Sequence, residues 1–198
     1  MKKAKKYCFI DCGAHKGLDI LNFYNNFKYP KEDIRIVAFE ANPNLIPELE
    51  KVQSTVENIE ILNKAVCVED GVINLRIGHN IYGSTINPAK NNFRVSEEKL
   101  VEGVNFSKWL RKNTDEDEFL IVSLDVEGAE YDIVDSLYET GMMNRIDKLY
   151  IEFHGTKLKG FDMSREKKMV QGLIDHFGKD VCIYQYYQHE EFLKLNLN

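Results

Sequence analysis

The chain has 198 residues, 43% of them hydrophobic and 29% charged, with a net charge of −6. That is the balance of a globular protein long enough for a full hydrophobic core. It excludes a nucleic-acid backbone as main partner, which needs a dense cationic face, and no apolar stretch approaches the length of a membrane span.

Strand-like and helix-like segments alternate along one expected domain, 1–198, whose residues 1–6 form a basic tail with Lys2, Lys3, Lys5 and Lys6. Residues 7–10 are a short apolar run, after which Leu18, Leu21 and Tyr24 mark the buried face of a helix. Residues 34–39 are the next strand. Leu45, Leu49, Val52 and Val56 then follow a helical repeat, with Pro47 in its first turn. Residues 59–66 read as a third strand, Asp70-Gly71 as a hairpin turn and residues 72–75 as the returning strand. From residue 79 to 102 the text is polar and loop-like. A loop that long inside a compact domain is more often functional than idle. Residues 106–112 suit a short helix, and the acidic run 115–118 a solvated connection.

The strongly apolar strand 119–124 ends at Asp125 and feeds a helix through Gly128, with Ile133, Val134, Leu137 and Tyr138 on its buried face. Residues 148–155 are a strand and its end, Met169, Leu173, Ile174 and Phe177 mark the last helix, and 181–187 with 192–197 close the chain as a hairpin. Cys8, Cys12, Cys67 and Cys182 lack metal-knuckle spacing and read as buried free thiols of a cytoplasmic protein. The expected fold is α/β: a mostly parallel sheet with helices on both faces and a C-terminal antiparallel hairpin. Rossmann-like methyltransferases share that plan; dinucleotide dehydrogenases lack the hairpin.

Ligands of open α/β sheets sit outside the carboxyl ends of the strands. Asp11, Glu40, Asp125, Glu152 and His154 all fall at such ends. Gly13 and Gly17 bracket a turn of the form Asp-x-Gly-x-x-x-Gly, which departs from the dinucleotide fingerprint and disfavours a nicotinamide-linked oxidoreductase. An acid at Glu40 can accept hydrogen bonds from both hydroxyls of a ribose, or cap the helix that follows. Asp11 serves the ligand or forms the turn.

The segments Asp-Cys-Gly-Ala-His-Lys-Gly at 11–17, Phe-Glu-Ala-Asn-Pro at 39–43, Asn-Lys-Ala-Val at 63–66, Ser-Lys-Trp-Leu at 107–110, Leu-Asp-Val-Glu-Gly-Ala-Glu at 124–130 and Ile-Glu-Phe-His at 151–154 resemble, in order, the FkbM-type S-adenosylmethionine-dependent methyltransferases. The resemblance implies S-adenosyl-L-methionine as cofactor and O-methylation of a free hydroxyl on a small-molecule or glycan acceptor, most often a sugar. It implies a cofactor site of Asp11, Gly13, Ala14, His15, Gly17, Glu40, Ala41, Asn42, Ala65 and Asp125, with the turn from Gly13 to Gly17 at the methionine moiety, Glu40 at the ribose and Ala65 at the adenine edge. Two positions depart from the family pattern: His15 replaces an Asn, and Ser123 replaces a Lys.

An alkyl hydroxyl needs a base as it attacks, and Asp125 and His154 are the candidates. His154 is preferred because an imidazole titrates near working pH; its plainer use is as a satisfied polar residue. Asp125 serves as base or holds the cofactor's amino group. Glu127 and Glu130 either join the site or complement a helix dipole. Asp125, Glu152 and His154 are chemically able to hold a divalent cation, but their expected divergence across two strands gives a metal-free site. Residues 79–88, including Gly83-Ser84-Thr85, are expected to close over the acceptor, and Tyr184 and Tyr186 to pack in the core or wall a sugar ring. A non-catalytic binding or scaffold protein is the alternative function.

Overall fold

The computed structural model describes residues 6–79 and 83–183. In chain order the elements are β1 (Lys6–Cys12), α1 (Leu18–Asn26), β2 (Ile34–Phe39), α2 (Ile46–Gln53), β3 (Ile59–Leu62), β4 (Ala65–Cys67), β5 (Gly71–Gly78), β6 (Val95–Asn105), α3 (Phe106–Asn113), β7 (Glu118–Leu124), α4 (Glu130–Glu139), β8 (Lys148–Ile151), α5 (Met163–Phe177) and β9 (Val181–Ile183). Six strands form one sheet in the order β3-β2-β1-β7-β8-β9, and every neighbouring pair in it is parallel. Its central strands are apolar on both faces because both are covered. One face packs Ile10, Val122 and Leu149 against Leu110, Leu137 and Leu173 of α3, α4 and α5. The other packs Phe9, Ile36 and Ile121 against Phe23 of α1 and Leu49 of α2. Of the residues expected to form a terminal hairpin, only β9 is described, and it pairs parallel to β8; the others, with Tyr184 and Tyr186, lie outside the described residues.

The middle of the chain departs from expectation. The single strand read over 59–66 is two: β3 closes the large sheet, while β4 belongs to a second, three-stranded sheet of order β4-β6-β5. Asp70-Gly71 does not join a hairpin, because β6 inserts between β4 and β5, parallel to the first and antiparallel to the second. The last third of the polar text expected as loop, residues 95–102, is instead the greater part of the eleven-residue β6. Its alternation is masked because the face that meets water carries Leu100 between Glu98 and Glu102, while the opposite face carries the charged Glu97 and Lys99. That opposite face also joins Val101 to Ala65, Leu75 and Ile77.

Smaller corrections concern packing. Leu18 is 65% exposed, and Ile20 and Phe23 carry the buried face of α1 instead. Tyr138 and Ile174 lie at the exposed edges of their helices. Glu118 is buried in a two-pronged pair with Arg35, at 2.6 and 3.0 Å, rather than solvated. Cys8, Cys12 and Cys67 are buried free thiols, and Cys182 is partly buried. Among the described residues no helix is long and apolar enough to cross a membrane.

Candidate active site

The strands end side by side, and main-chain bonds continue between the residues just beyond them. The Glu40 N–H donates to the Leu62 carbonyl, the Asp125 N–H to that of Cys12 and the Glu152 N–H to that of Leu124, each at 3.0 Å. Strand order reverses between β1 and β7, the place where the crevice of such a sheet opens. A cavity of about 320 Å³ lies there. Of the residues singled out from the sequence, Gly13, Ala14, His15, Glu40, Ala41, Ala65 and Asp125 line it. Asp11, Gly17, Asn42 and His154 stand behind that wall.

The first wall is the turn after β1. The Gly13 and Ala14 N–H groups both donate to the Phe39 carbonyl at 2.9 Å, which folds the turn back over β2. Gly13 has φ +96°, and a Cβ there would fall 1.9 Å from the Asp125 carbonyl oxygen. Only glycine lets β1 and β7 approach this closely. His15 adopts φ +51° and donates its N–H to Glu40 Oε2 at 2.7 Å, while the Asn42 N–H donates to Glu40 Oε1 at 2.7 Å. Glu40 thus ties the two turns together. Burial pushes its carboxyl up, and the two backbone donors pull it back. The capping role falls to Asn42, whose side chain accepts from the Asn44 N–H at 3.0 Å. Asn63, quoted only as part of a motif, braces the same corner by donating to the Glu40 carbonyl at 2.8 Å.

The second wall is a buried charge cluster on the turn between β7 and α4. Glu130 is fully enclosed; it accepts from the N–H groups of Val126 and Gly128 at 3.0–3.1 Å and lies 2.8 Å from His154 Nδ1. His154 Nε2 is 3.3 Å from Glu127 Oε2, 3.3 Å from Glu152 Oε1 and 3.5 Å from Asp125 Oδ1. The expected divergence of Asp125 and His154 is therefore overturned: β7 and β8 are adjacent and in register, Leu124 beside Ile151, so their ends converge. Lys90 pairs with Glu127 and donates to the Gly83 carbonyl at 3.1 Å. Lys157 approaches Glu127 at 3.7 Å and Glu152 at 3.9 Å. Asp125, Glu130 and His154 offer ligand-type atoms within 4.8 Å of one another; of the two acids, Glu130 already accepts from two backbone N–H groups.

The electrostatics separate the two candidate bases. Burial lifts the Asp125 carboxyl to about 7; His154 lowers it, and the neighbouring Glu152, Glu127 and Glu130 add to the rise. Its Oδ1 is enclosed with no hydrogen-bond partner among the described residues, as is Asp11 Oδ2. For His154 burial disfavours the charged ring, yet the bonds to Glu130 and Glu152 and the charges of Glu130 and Asp125 outweigh it and raise the imidazole to about 10. Both nitrogens of His154 face carboxylates, so the ring does not titrate as an open imidazole near working pH.

The segment before β6 is pinned rather than open. Thr85 is buried and its hydroxyl donates to the Glu127 carbonyl at 2.7 Å, so it braces the charged turn instead of facing the cleft. Ser84 lines the cavity and accepts from Asn42 Nδ2 at 3.2 Å. The Arg76 guanidinium grips the carbonyls of Asn87, Pro88 and Lys90. Lys90 and Lys157 were missed in the sequence because neither falls in a periodic element or at a strand end.

Asp19, Glu40 and Asp125 line the cavity, and Asp11 is buried. The acids Asp19, Glu40 and Asp125 on the cavity's lining suit a ligand bearing positive charge. The model of the methyltransferase FkbM domain matches residues 11–193. A solved structure of methyltransferase FkbM from Methylobacillus flagellatus KT shares the fold, with a TM-score of 0.52 and 13% sequence identity over 87% of this chain. This chain spans 38% of that protein's length. No curated protein matches the chain.

Proposed function

The chain belongs to the methyltransferase FkbM family, and on that premise we propose that it is an S-adenosylmethionine-dependent O-methyltransferase acting on a hydroxyl of a sugar or glycan. The observation that carries this reading is Glu40: a buried acid at the end of β2, walling a cavity floored by the left-handed turn at Gly13. Each of its oxygens takes one backbone N–H and keeps acceptor capacity for a ribose hydroxyl. All lining the cavity, Ala41 and Ala65 are assigned to the adenine, and Ala14, His15 and Asp19 to the methionine moiety. When bound, the donor supplies a methyl group whose bond to sulfur breaks as its bond to the acceptor oxygen forms. Asp125 takes the hydroxyl proton: its side chain is partly exposed and lines the cavity, while its enclosed Oδ1 faces His154 Nε2 at 3.5 Å. Its pKa near 7 matches a general base at neutral pH. A hydroxyl-rich acceptor suits the mixed carboxylate and ammonium rim of Glu127, Glu152 and Lys157.

The test is methyl transfer from isotopically labelled S-adenosylmethionine to a panel of sugars, nucleotide sugars and glycan extracts. The expected product is a methyl ether on one sugar oxygen. Tight binding of S-adenosylhomocysteine without transfer to any acceptor would favour the scaffold alternative.

A further inference from the structure

We propose that His154 is a positioning residue, a standing imidazolium clamped by Glu130 that fixes Asp125 as the proton acceptor. The inference rests on reading this cleft as a methyl-transfer site. The clamp begins with Glu130. Its oxygens already accept from two backbone N–H groups on its own turn, so it faces Nδ1 as an acceptor and Nδ1 carries a proton. On the other side of the ring Nε2 faces Asp125, Glu127 and Glu152 within 3.5 Å. A bare nitrogen there would set its lone pair against three acceptors, whereas an N–H meets all of them favourably. The ring is 1% exposed, so bulk water does not supply another partner.

The surrounding charges agree. The groups facing the ring are Glu130 from α4, Asp125 and Glu127 from the turn before it and Glu152 from the end of β8. The ammonium groups of Lys90 and Lys157 stand against Glu127 and Glu152. Four carboxylates against two ammonium groups leave room for a third cation, and the imidazolium fills it. The backbone at the ring is also fixed. A Cβ on the next residue, Gly155, would fall 2.5 Å from Glu166 Oε2 and 2.7 Å from the Tyr131 hydroxyl. The consequence is chemical: a fixed positive charge beside Asp125 Oδ1 opposes the burial that would otherwise keep this acid protonated. His154 acts on the reaction through Asp125.

Nitrogen-15 NMR of histidine-labelled protein, with and without S-adenosylhomocysteine, reads the ring directly. The His154 signals are identified by their loss in His154→Gln or, should that variant fail to fold, by elimination among the five histidines. Both ring nitrogens are expected to stay protonated from about pH 6 to 9. A bare nitrogen at neutral pH, or a midpoint between about 6 and 8, would overturn the proposal. The acid limb of the kcat profile gives a second readout. In His154→Gln it should move up by about one pH unit while the high-pH rate stays within about tenfold of wild type. If His154 is itself the base, the limb disappears and the high-pH rate falls by about 10²–10⁴-fold. Broadening of the His154 signals by Mn²⁺, with activity restored only by a divalent cation after chelation, would also overturn it, since a metal needs the bare nitrogen. Failure to bind S-adenosylhomocysteine or to transfer methyl would count against the proposed function and leave the NMR result standing.

Discussion

Asp125→Asn is expected to lower kcat by about 10²–10⁴-fold, with the Kd of S-adenosylhomocysteine within about threefold of wild type. The substitution keeps the size of the side chain and removes its capacity to take a proton. Asp125 lies at the switch point of the sheet, lines the cavity and holds an enclosed oxygen without a partner among the described residues. Single-turnover rates separate this step from binding. A rise in Kd of about tenfold or more with a small change in rate would instead assign Asp125 to the cofactor's amino group. In the wild type kcat/KM should decline as pH falls through about 7, because the raised pKa means the acid becomes protonated, and so unable to act as base, below that point.

Gly13→Ala is expected to destabilise the protein by at least about 3 kcal/mol and to abolish transfer. Two effects add. The residue adopts φ +96°, which strains any side chain, and the new Cβ would meet the Asp125 carbonyl at 1.9 Å. Neither side can easily yield: the Asp125 N–H is bonded to the Cys12 carbonyl and the Gly13 N–H to that of Phe39. Gly141→Ala is the control. Its φ is +72°, with nothing within 4 Å of the added Cβ, so it isolates strain alone. A cost of about 1 kcal/mol is expected there. Chemical denaturation of the two variants gives both values, and equal costs would remove the argument from close approach.

Much of the large sheet was legible because its strands are continuous apolar runs ending in acids. Residues 34–39 and 119–124 carry that signal in the plainest form, and their ends proved to share one rim. The second sheet was not legible, since β6 presents charged residues to water and no local pattern says that it inserts between β4 and β5. The same limit applies to the site. Gly13 and Glu40 announce themselves by position, whereas the Lys90 contact with Glu127 spans 37 residues of sequence. The protonation of His154 depends on four acids from α4, the turn before it and β8. A residue type read alone suggests a base; the same residue among four carboxylates is a cation.

The central claim is that the acid at the end of β2 and the turn after β1 together hold the sugar and amino-acid ends of S-adenosylmethionine. Calorimetric titration of S-adenosylhomocysteine into the wild type and into Glu40→Gln tests it most directly, with thermal unfolding as a check that the variant folds. The account predicts one-to-one saturable binding by the wild type, weakened by about tenfold or more in the variant as a charge-assisted contact is lost. No saturable binding by the wild type, or equal affinity in a folded Glu40→Gln, would contradict it.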